Sequence, residues 1–540
     1  MTTLEQAVQP GERLAPVRRT YVYIVAFVSL AVMLAGVDSL VNTLLQLWLD
    51  HPAESYGAPG FNRSIAGSAG LLLVATPIFL IHWALAQGHR DEAGERASFL
   101  RKAFLYAASA WSLANLLGYT YVLIESLAQT VLGVPPRDVS ALPVQWAAAI
   151  LLASMHAALV IYWYAVLQSD GDFGAEATNG RIVRQLFMLL AGVAGLLLLL
   201  WGGASAIQIA LRLLLDALSP TIGGNWWQTV TAGTLAQVLV GGWLAYNNRA
   251  QWRAIVARQP SEGQAALRRL YLYAAVVIGA IATLTPAALI LRELLLMVFG
   301  DSTGDLPTLL NKLIMPVSYV PVGLVIWLWH WNVLRHEAAA FGESHQGATV
   351  RRVYYYLMAA TGLALLWVGS VDLLHTLLDT LLSQGVGADG IWHEPLANGL
   401  SLLAVGAPIW SLHWRGVQAI AARADPAGAA ERDALPRKIY LYGVSLVAAL
   451  ILLFQLAQVI YRLLLVLMGD PNAGLLSTET AHQLADCLIA GIFWGVHLLA
   501  IRSDGRVDKL TPHPTPAPPP TLSIEQRRQS LEQRRQLLKA

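Results

Sequence analysis

The sequence predicts an all-α integral membrane protein of about twelve transmembrane helices, built from six tandem two-helix hairpin repeats in the same orientation. Three observations carry this. Hydrophobic residues fill 56% of 540 positions and charged ones 13%, with a mean hydropathy of +0.52, which leaves a water-soluble globule short of polar surface. Apolar stretches recur along the whole chain, each long enough to cross a hydrocarbon core roughly 30 Å thick, which takes about 20 helical residues. A short motif also returns at a nearly constant interval.

That motif reads RRTYVY at 18, RKAFLY at 101, RQLFML at 184, RRLYLY at 268, RRVYYY at 351 and RKIYLY at 437. Its fourth position marks Tyr21, Phe104, Phe187, Tyr271, Tyr354 and Tyr440, spaced 83, 83, 84, 83 and 86 residues apart, a regularity that signals tandem duplication. Each interval holds a long apolar helix, a polar or Gly/Pro-containing turn, a second apolar helix closing on Trp or His-Trp, and a charged connection. The hairpin repeats therefore run 18–100, 101–183, 184–267, 268–350, 351–436 and 437–501, after a polar segment 1–17. The helices are expected near 20–48, 64–86, 102–132, 143–167, 184–218, 228–247, 268–299, 309–334, 351–382, 395–415, 437–468 and 479–501. The first apolar run is too long for a signal-peptide core, so it is expected to be a retained helix.

Lysine and arginine set the orientation. Three of the 36 lie in turns within hairpins (Arg63, Arg137, Lys312), three lie inside helices, and the other 30 lie before the first helix, between hairpins or after the last. The positive-inside rule then places both termini and all connections between hairpins on the cytoplasmic side of the cell (inner) membrane, with the turns outside. Arg18, Tyr21, Arg268, Tyr271, Arg351, Tyr354, Arg437 and Tyr440 are expected to be interfacial anchors, arginines at headgroups and rings at the lipid boundary. The rival reading makes the arginines a phosphate or substrate site.

The strings PIFLIHW (77–83) and PIWSLHW (408–414), with WLWHW (327–331) as a looser copy, close three even helices. Imidazole is a common ligand, so His82, His330 and His413 raise haem or metal binding; interfacial belt residues explain the same pattern. Pro77 and Pro408 predict mid-helix kinks. The Arg-x-x-Tyr-x-Tyr opening, the Pro-x-x-x-x-His-Trp closing and their repetition over residues 18 to about 501 resemble the bacterial membrane family called domain of unknown function 5671. The third repeat lacks both tyrosines of the opening, and the second, third and sixth lack His-Trp. The resemblance implies a multi-pass membrane protein and carries over no catalytic residue.

Twenty-one residues beyond each marker stand Asn42, Glu125, Gln208, Arg292, His375 and Tyr461, a polar column about 31 Å from the motif at 1.5 Å per residue. That depth is close to the outer boundary of the hydrocarbon, where polarity is cheap, so interhelix hydrogen bonds and a ligand vestibule are both open readings. Asp38, His156 and Asp372 fall deeper, and Asp38 with Asn42 echoes Asp372 with His375, an acid and a nitrogen base one turn apart on one helix face. Such pairs fit a proton relay or cation site, or polar contacts between packed helices. The candidate intramembrane polar site is thus Asp38, Asn42, Glu125, His156, Arg292, Asp372 and His375.

Other motifs fail on context. GVGADG (385–390) fits G-x-G-x-x-G but lies in an outward turn without the strand and helix a dinucleotide needs, and neither HEAAAF (336–341) nor HEPLA (393–397) supplies a second histidine. The single cysteine, Cys487, permits no intramolecular disulfide and no cysteine-based metal cluster, and no cofactor is predicted. A Pro-rich linker, 502–523, leads to a short amphipathic helix, 524–540, carrying EQRRQ twice at a seven-residue interval. Membrane lipids are the expected partners, with a protein partner through the C-terminal helix, an oligomer as an open arrangement and no nucleic acid. A repeat of two crossings inserts every copy the same way, which disfavours inverted-repeat transport. The function expected is a non-enzymatic scaffold or membrane-complex component; the alternatives are a secondary transporter or channel and, more weakly, a haem-binding electron carrier.

Overall fold

The computed structural model describes residues 10–50, 59–92, 94–134, 141–171, 178–218, 226–300, 306–382, 392–470 and 477–510. Among these every regular element is helical: α1 (Pro10–Leu45, continued by a π turn Gln46–Asp50), α2 (Pro59–Gly88), α3 (Phe99–Val131), α4 (Ala141–Ser169), α5 (Thr178–Leu218), α6 (Trp226–Arg258), α7 (Ala266–Val298), α8 (Leu306–Phe341), α9 (His345–Leu382), α10 (His393–Ala421), α11 (Pro426–Arg432), α12 (Leu435–Leu467) and α13 (Thr478–Leu510). Ten are long and apolar enough to cross a membrane. The other two long ones, α3 and α6, carry polar residues that dilute their hydropathy, among them Asn115 and Glu125 in α3 and Gln237, Asn247 and Asn248 in α6. Outward-facing Leu73, Val325, Leu412 and Leu453 are 78%, 67%, 72% and 64% exposed, part of an apolar outer surface suited to lipid.

All twelve predicted helices are present, but many run further toward the charged connections than expected. The helix read as 228–247 continues to Arg258, 309–334 continues to Phe341, and 479–501 continues to Leu510, inside the stretch read as a linker. Hydropathy marks the apolar stretch and not the helix end, and Ala, Arg, Glu and Gln beyond it keep the helical conformation. The short α11 was not foreseen, although its start is written locally: Asp425 accepts from the Gly428 N–H at 2.9 Å and Pro426 follows at the first helical position. The GVGADG string, the linker beyond Leu510 and the 524–540 helix lie outside the described residues.

The chain divides into two compact units, residues 1–351 and 352–540. In the first, successive helices pack as antiparallel pairs. Ser39 meets Ser68 at 2.7 Å and Thr43 meets Ser64 at 3.0 Å, so rising positions on α1 face falling positions on α2. The α3–α4 pair runs from Arg101 with Asp170 to Ser126 with Trp146, and the α7–α8 pair interleaves at Gly279 and Gly323. A Cβ at Gly279 would stand 2.5 Å from the Trp327 nitrogen, so only glycine permits this approach. The core at the motif end gathers Tyr23, Trp83, Phe104 and Trp163. In the second unit, α9 and α10 approach at Gly369 and Gly399, α12 pairs with α13 from Arg437 with Asp504 to Gln455 with Asp486, and the core gathers Tyr356, Trp414, Tyr440 and Phe493.

Candidate functional site

The opening motif builds a buried ionic cluster at the end of the hairpins. Because the motif lies near the start of each hairpin's first helix and the second helix returns antiparallel, its arginine meets acids at the end of the returning helix or just beyond it. In the first unit Arg101, with its side chain fully buried, donates from Nε to Asp170 at 2.6 Å and from Nη1 to the Tyr23 hydroxyl at 3.2 Å. Tyr23 donates onward to Glu95 at 2.7 Å, and Glu95 also receives Arg19 at 2.5 Å. The second unit repeats this atom for atom. Arg437 donates to Asp504 at 2.7 and 2.8 Å and to the Tyr356 hydroxyl at 3.1 Å; Tyr356 donates to Glu431 at 2.8 Å, and Arg352 reaches Glu431 at 2.8 Å. Between them, Arg268 pairs with Glu337 at 2.7 Å, while Gln185, at 2.7 Å, and Arg184, at 3.1 Å, hold Glu262. Arg101, Arg268 and Arg437 are 167 and 169 residues apart, so this cluster recurs every second hairpin.

These contacts change the reading of the anchors. Arg268, Tyr271, Tyr354, Arg437 and Tyr440 are no more than 8% exposed and lie inside the protein, whereas Tyr21 is 58% exposed and Arg18 and Arg351 sit in half-exposed pairs with Glu92 and Glu343. The carboxylates that draw three of the motif's arginines inward stand 67 to 69 residues further along the chain, out of sight of a local motif. Burying an ion pair costs desolvation on both sides and fixes partners and register when every remaining hydrogen bond is made.

The marker tyrosine finds the closing histidine of its own hairpin: Tyr21 with His82 at 3.2 Å, Tyr271 with His330 at 3.4 Å, Tyr354 with His413 at 3.4 Å and Tyr440 with His497 at 3.3 Å. In each case Nδ1 lies 2.7 or 2.8 Å from the carbonyl oxygen four residues back. A carbonyl can only accept, so Nδ1 carries the hydrogen and Nε2 accepts from the tyrosine. A haem or metal at Nε2 would have to displace that hydroxyl. His497 was missed from the sequence because its helix closes on FWGVHLL without His-Trp. In the second hairpin the pair becomes Phe104 and Trp163, edge to face at 5.7 Å.

The deeper polar residues are brought together differently from the sequence expectation. Asp38 does not pair with Asn42, whose amide instead bonds the Asp38 backbone carbonyl at 2.7 Å; its carboxylate faces His156 of α4 at 3.3 and 3.4 Å. Tyr119 stacks on His156 at 5.9 Å. Asp372 takes the Asn398 amide at 2.5 Å and not His375, which sets its ring against His482 at 4.9 Å. His482 lies 3.6 Å from Asp486, which also receives Gln455 at 2.5 Å. Arg292 pairs with adjacent Glu293 at 2.6 Å, and Glu125 lies against α6 at Gly233. Tyr119, Asn398, His482 and Asp486 were not singled out from the sequence; Tyr119 and Asn398 meet residues of other helices, while His482 and Asp486 lie one turn apart on α13 and were legible as a pair.

The third hairpin, α5 and α6, departs from the pattern. Phe187 and Leu189 replace the two tyrosines and Asn247-Asn248-Arg249 replaces the aromatic closing. Three cavities gather around it: one of about 120 Å³ against α3 and α4, one of about 410 Å³ against α3, and one of about 370 Å³ against α7 and α8. None of the seven predicted polar-site residues lines any of these three. Gly192 makes room for the change, since a Cβ there would stand 2.6 Å from both the Asn248 amide and Tyr271.

Long apolar helices packed as antiparallel pairs, tied at one end by recurring ion pairs, define a multi-pass helical membrane protein. The model of a family described as domain of unknown function (DUF5671) matches residues 19–168, 185–317 and 352–496, and the chain belongs to that family. Its three matches start at Arg19, Gln185 and Arg352, the same position of the motif, and each reaches into a second hairpin. The family's unit is therefore a pair of hairpins, the same period as the buried ionic cluster. No curated protein and no solved structure matches the chain.

Proposed function

We propose that the protein is a non-enzymatic scaffold of a bacterial inner membrane. Twelve helices cross the bilayer as six hairpins entering from the same side, with both termini and all connections cytoplasmic and the 524–540 helix held out for a protein partner. The observation that carries this reading is the internal pairing of the groups a transport pathway would use: Asp38 with His156, Asp372 with Asn398, and Arg292 with Glu293. A pathway needs such groups to face a water-filled cavity, and the three cavities have walls free of them. Both ring nitrogens of His82, His330 and His413 are engaged by protein atoms, which speaks for a structural role over haem ligation.

Reconstitution into proteoliposomes loaded with a pH-sensitive dye tests the scaffold against the transporter. A scaffold gives proton and cation leaks equal to protein-free vesicles, unchanged by Asp38→Asn or Asp372→Asn. A flux above that background which either substitution abolishes contradicts the proposal.

A further inference from the structure

The cavity between α5, α6, α7 and α8 has the form of a site for an amphiphile. Its walls are almost wholly apolar, from Leu196, Leu199, Ile326 and Val333, while one end presents Arg249. The guanidinium of Arg249 lies over the Trp329 ring at 4.5 Å, and among the described residues no carboxylate pairs with it. Glu337, the acid on the facing helix, is taken by Arg268 at 2.7 Å. Arg101 and Arg437, by contrast, each lie in direct contact with a carboxylate, Asp170 and Asp504. Arg249 and Arg268 thus face one carboxylate, Glu337, with which only Arg268 is in contact, and a cation left without a carboxylate contact at an apolar cavity of about 370 Å³ asks for an anion carried on a hydrocarbon body.

The mouth points to the source of that ligand. Tyr246, Val325 and Trp329 line the cavity and are 74%, 67% and 44% exposed, so its wall reaches the apolar outer face. The third repeat, which supplies α5 and α6 to this cavity, is also the copy that lacks the two tyrosines and the aromatic closing. From this geometry we propose that the cavity binds one anionic phospholipid of the surrounding bilayer, its phosphate on Arg249 and an acyl chain between α6 and α8. The assignment is independent of the scaffold reading, since a transporter or a scaffold could hold such a lipid.

The full-length protein in detergent, probed by native mass spectrometry with phosphatidylglycerol and phosphatidylcholine of matched chains, tests it. Wild type retains one phosphatidylglycerol in preference to phosphatidylcholine. Arg249→Gln lowers that retention by about fivefold or more, to the level of phosphatidylcholine. Arg253→Gln, an exposed charge one turn further on α6, leaves it unchanged. Val325→Trp, filling the mouth, lowers retention of both lipids, and glycerol phosphate does not compete. The proposal is overturned if wild type shows no preference, if Arg249→Gln retains it, if Arg253→Gln loses it equally, or if glycerol phosphate displaces the lipid. Should Arg249→Gln fail to fold, unchanged retention in Val325→Trp overturns it alone.

Discussion

Residues that share one motif position meet opposite environments, and the difference is measurable. Arg101 and Arg437 are buried with their carboxylates, while Arg18 reaches Glu92 in a half-exposed pair. Removing one partner of a buried pair strands the other charge, so Arg437→Gln lowers stability by about 3 kcal/mol in thermal or denaturant unfolding, and Arg101→Gln by less, since Arg90 still holds Asp170. Arg18→Gln costs a small fraction of that. If all three served only as headgroup anchors, the losses would be equal and small. The pH dependence of the exposed pair follows from Glu92, whose carboxyl is held below its ordinary value chiefly by the hydrogen bond from Arg18. A depressed acid stabilises the fold above its unfolded value, and that contribution is lost as pH falls through the folded one. The gap in unfolding midpoint between wild type and Arg18→Gln is therefore present at pH 7 and closes below about pH 4. A gap that persists at lower pH contradicts the assignment.

At the level of the helix, close approach depends on glycine in some places and not in others. Gly279 lets α7 and α8 meet so closely that an added Cβ would press on the Trp327 backbone, whereas Gly443 in α12 has nothing within 4 Å. Gly279→Ala should destabilise by about 1–3 kcal/mol, and Gly443→Ala should be neutral or stabilising by up to about 1 kcal/mol. Unfolding of the two variants side by side checks the opposite signs; the same sign in both would mean that α7 and α8 do not pack as described. Helices were the most legible part of the sequence, because 20-residue apolar stretches need no partner to be recognised. Their ends were not, since helix-forming charged residues carry α6 and α13 well past the apolar stretch. The site was half legible. Asp38, His156 and Asp372 stood out as ionisable residues in apolar helices, but pairing Asp38 with His156 required a contact between α1 and α4, 118 residues apart. Pairing along one helix was the nearest inference the chain offered, and the fold overrode it.

For the whole molecule, the repeat is the organising fact. The 83-residue spacing of the motif suggested six equal copies, but the buried cluster of Arg101, Arg268 and Arg437 and the three family matches both recur once per two hairpins. The arginine that opens the second, fourth and sixth copies ties a hairpin to its own returning helix, while Arg18 and Arg351 of the first and fifth stay nearer the surface and Arg184 of the third is buried against Glu262. This alternation was hidden because the strings are alike and only their distant acids differ. Duplication of an even number of crossings also fixes the direction of insertion, which supports the arrangement proposed for all six hairpins. Cys487 is the sole cysteine, so Cys487→Ala gives a cysteine-free background in one substitution. Single cysteines placed at Asp91, Gln259, Ser344 and Arg423 in the connections, and at Gly300, Trp392 and Gly469 beside the turns, would be exposed to a membrane-impermeant maleimide on intact cells. Labelling of every turn position and of no connection until the cells are opened is the predicted result. Labelling that switches side from one hairpin to the next contradicts the account.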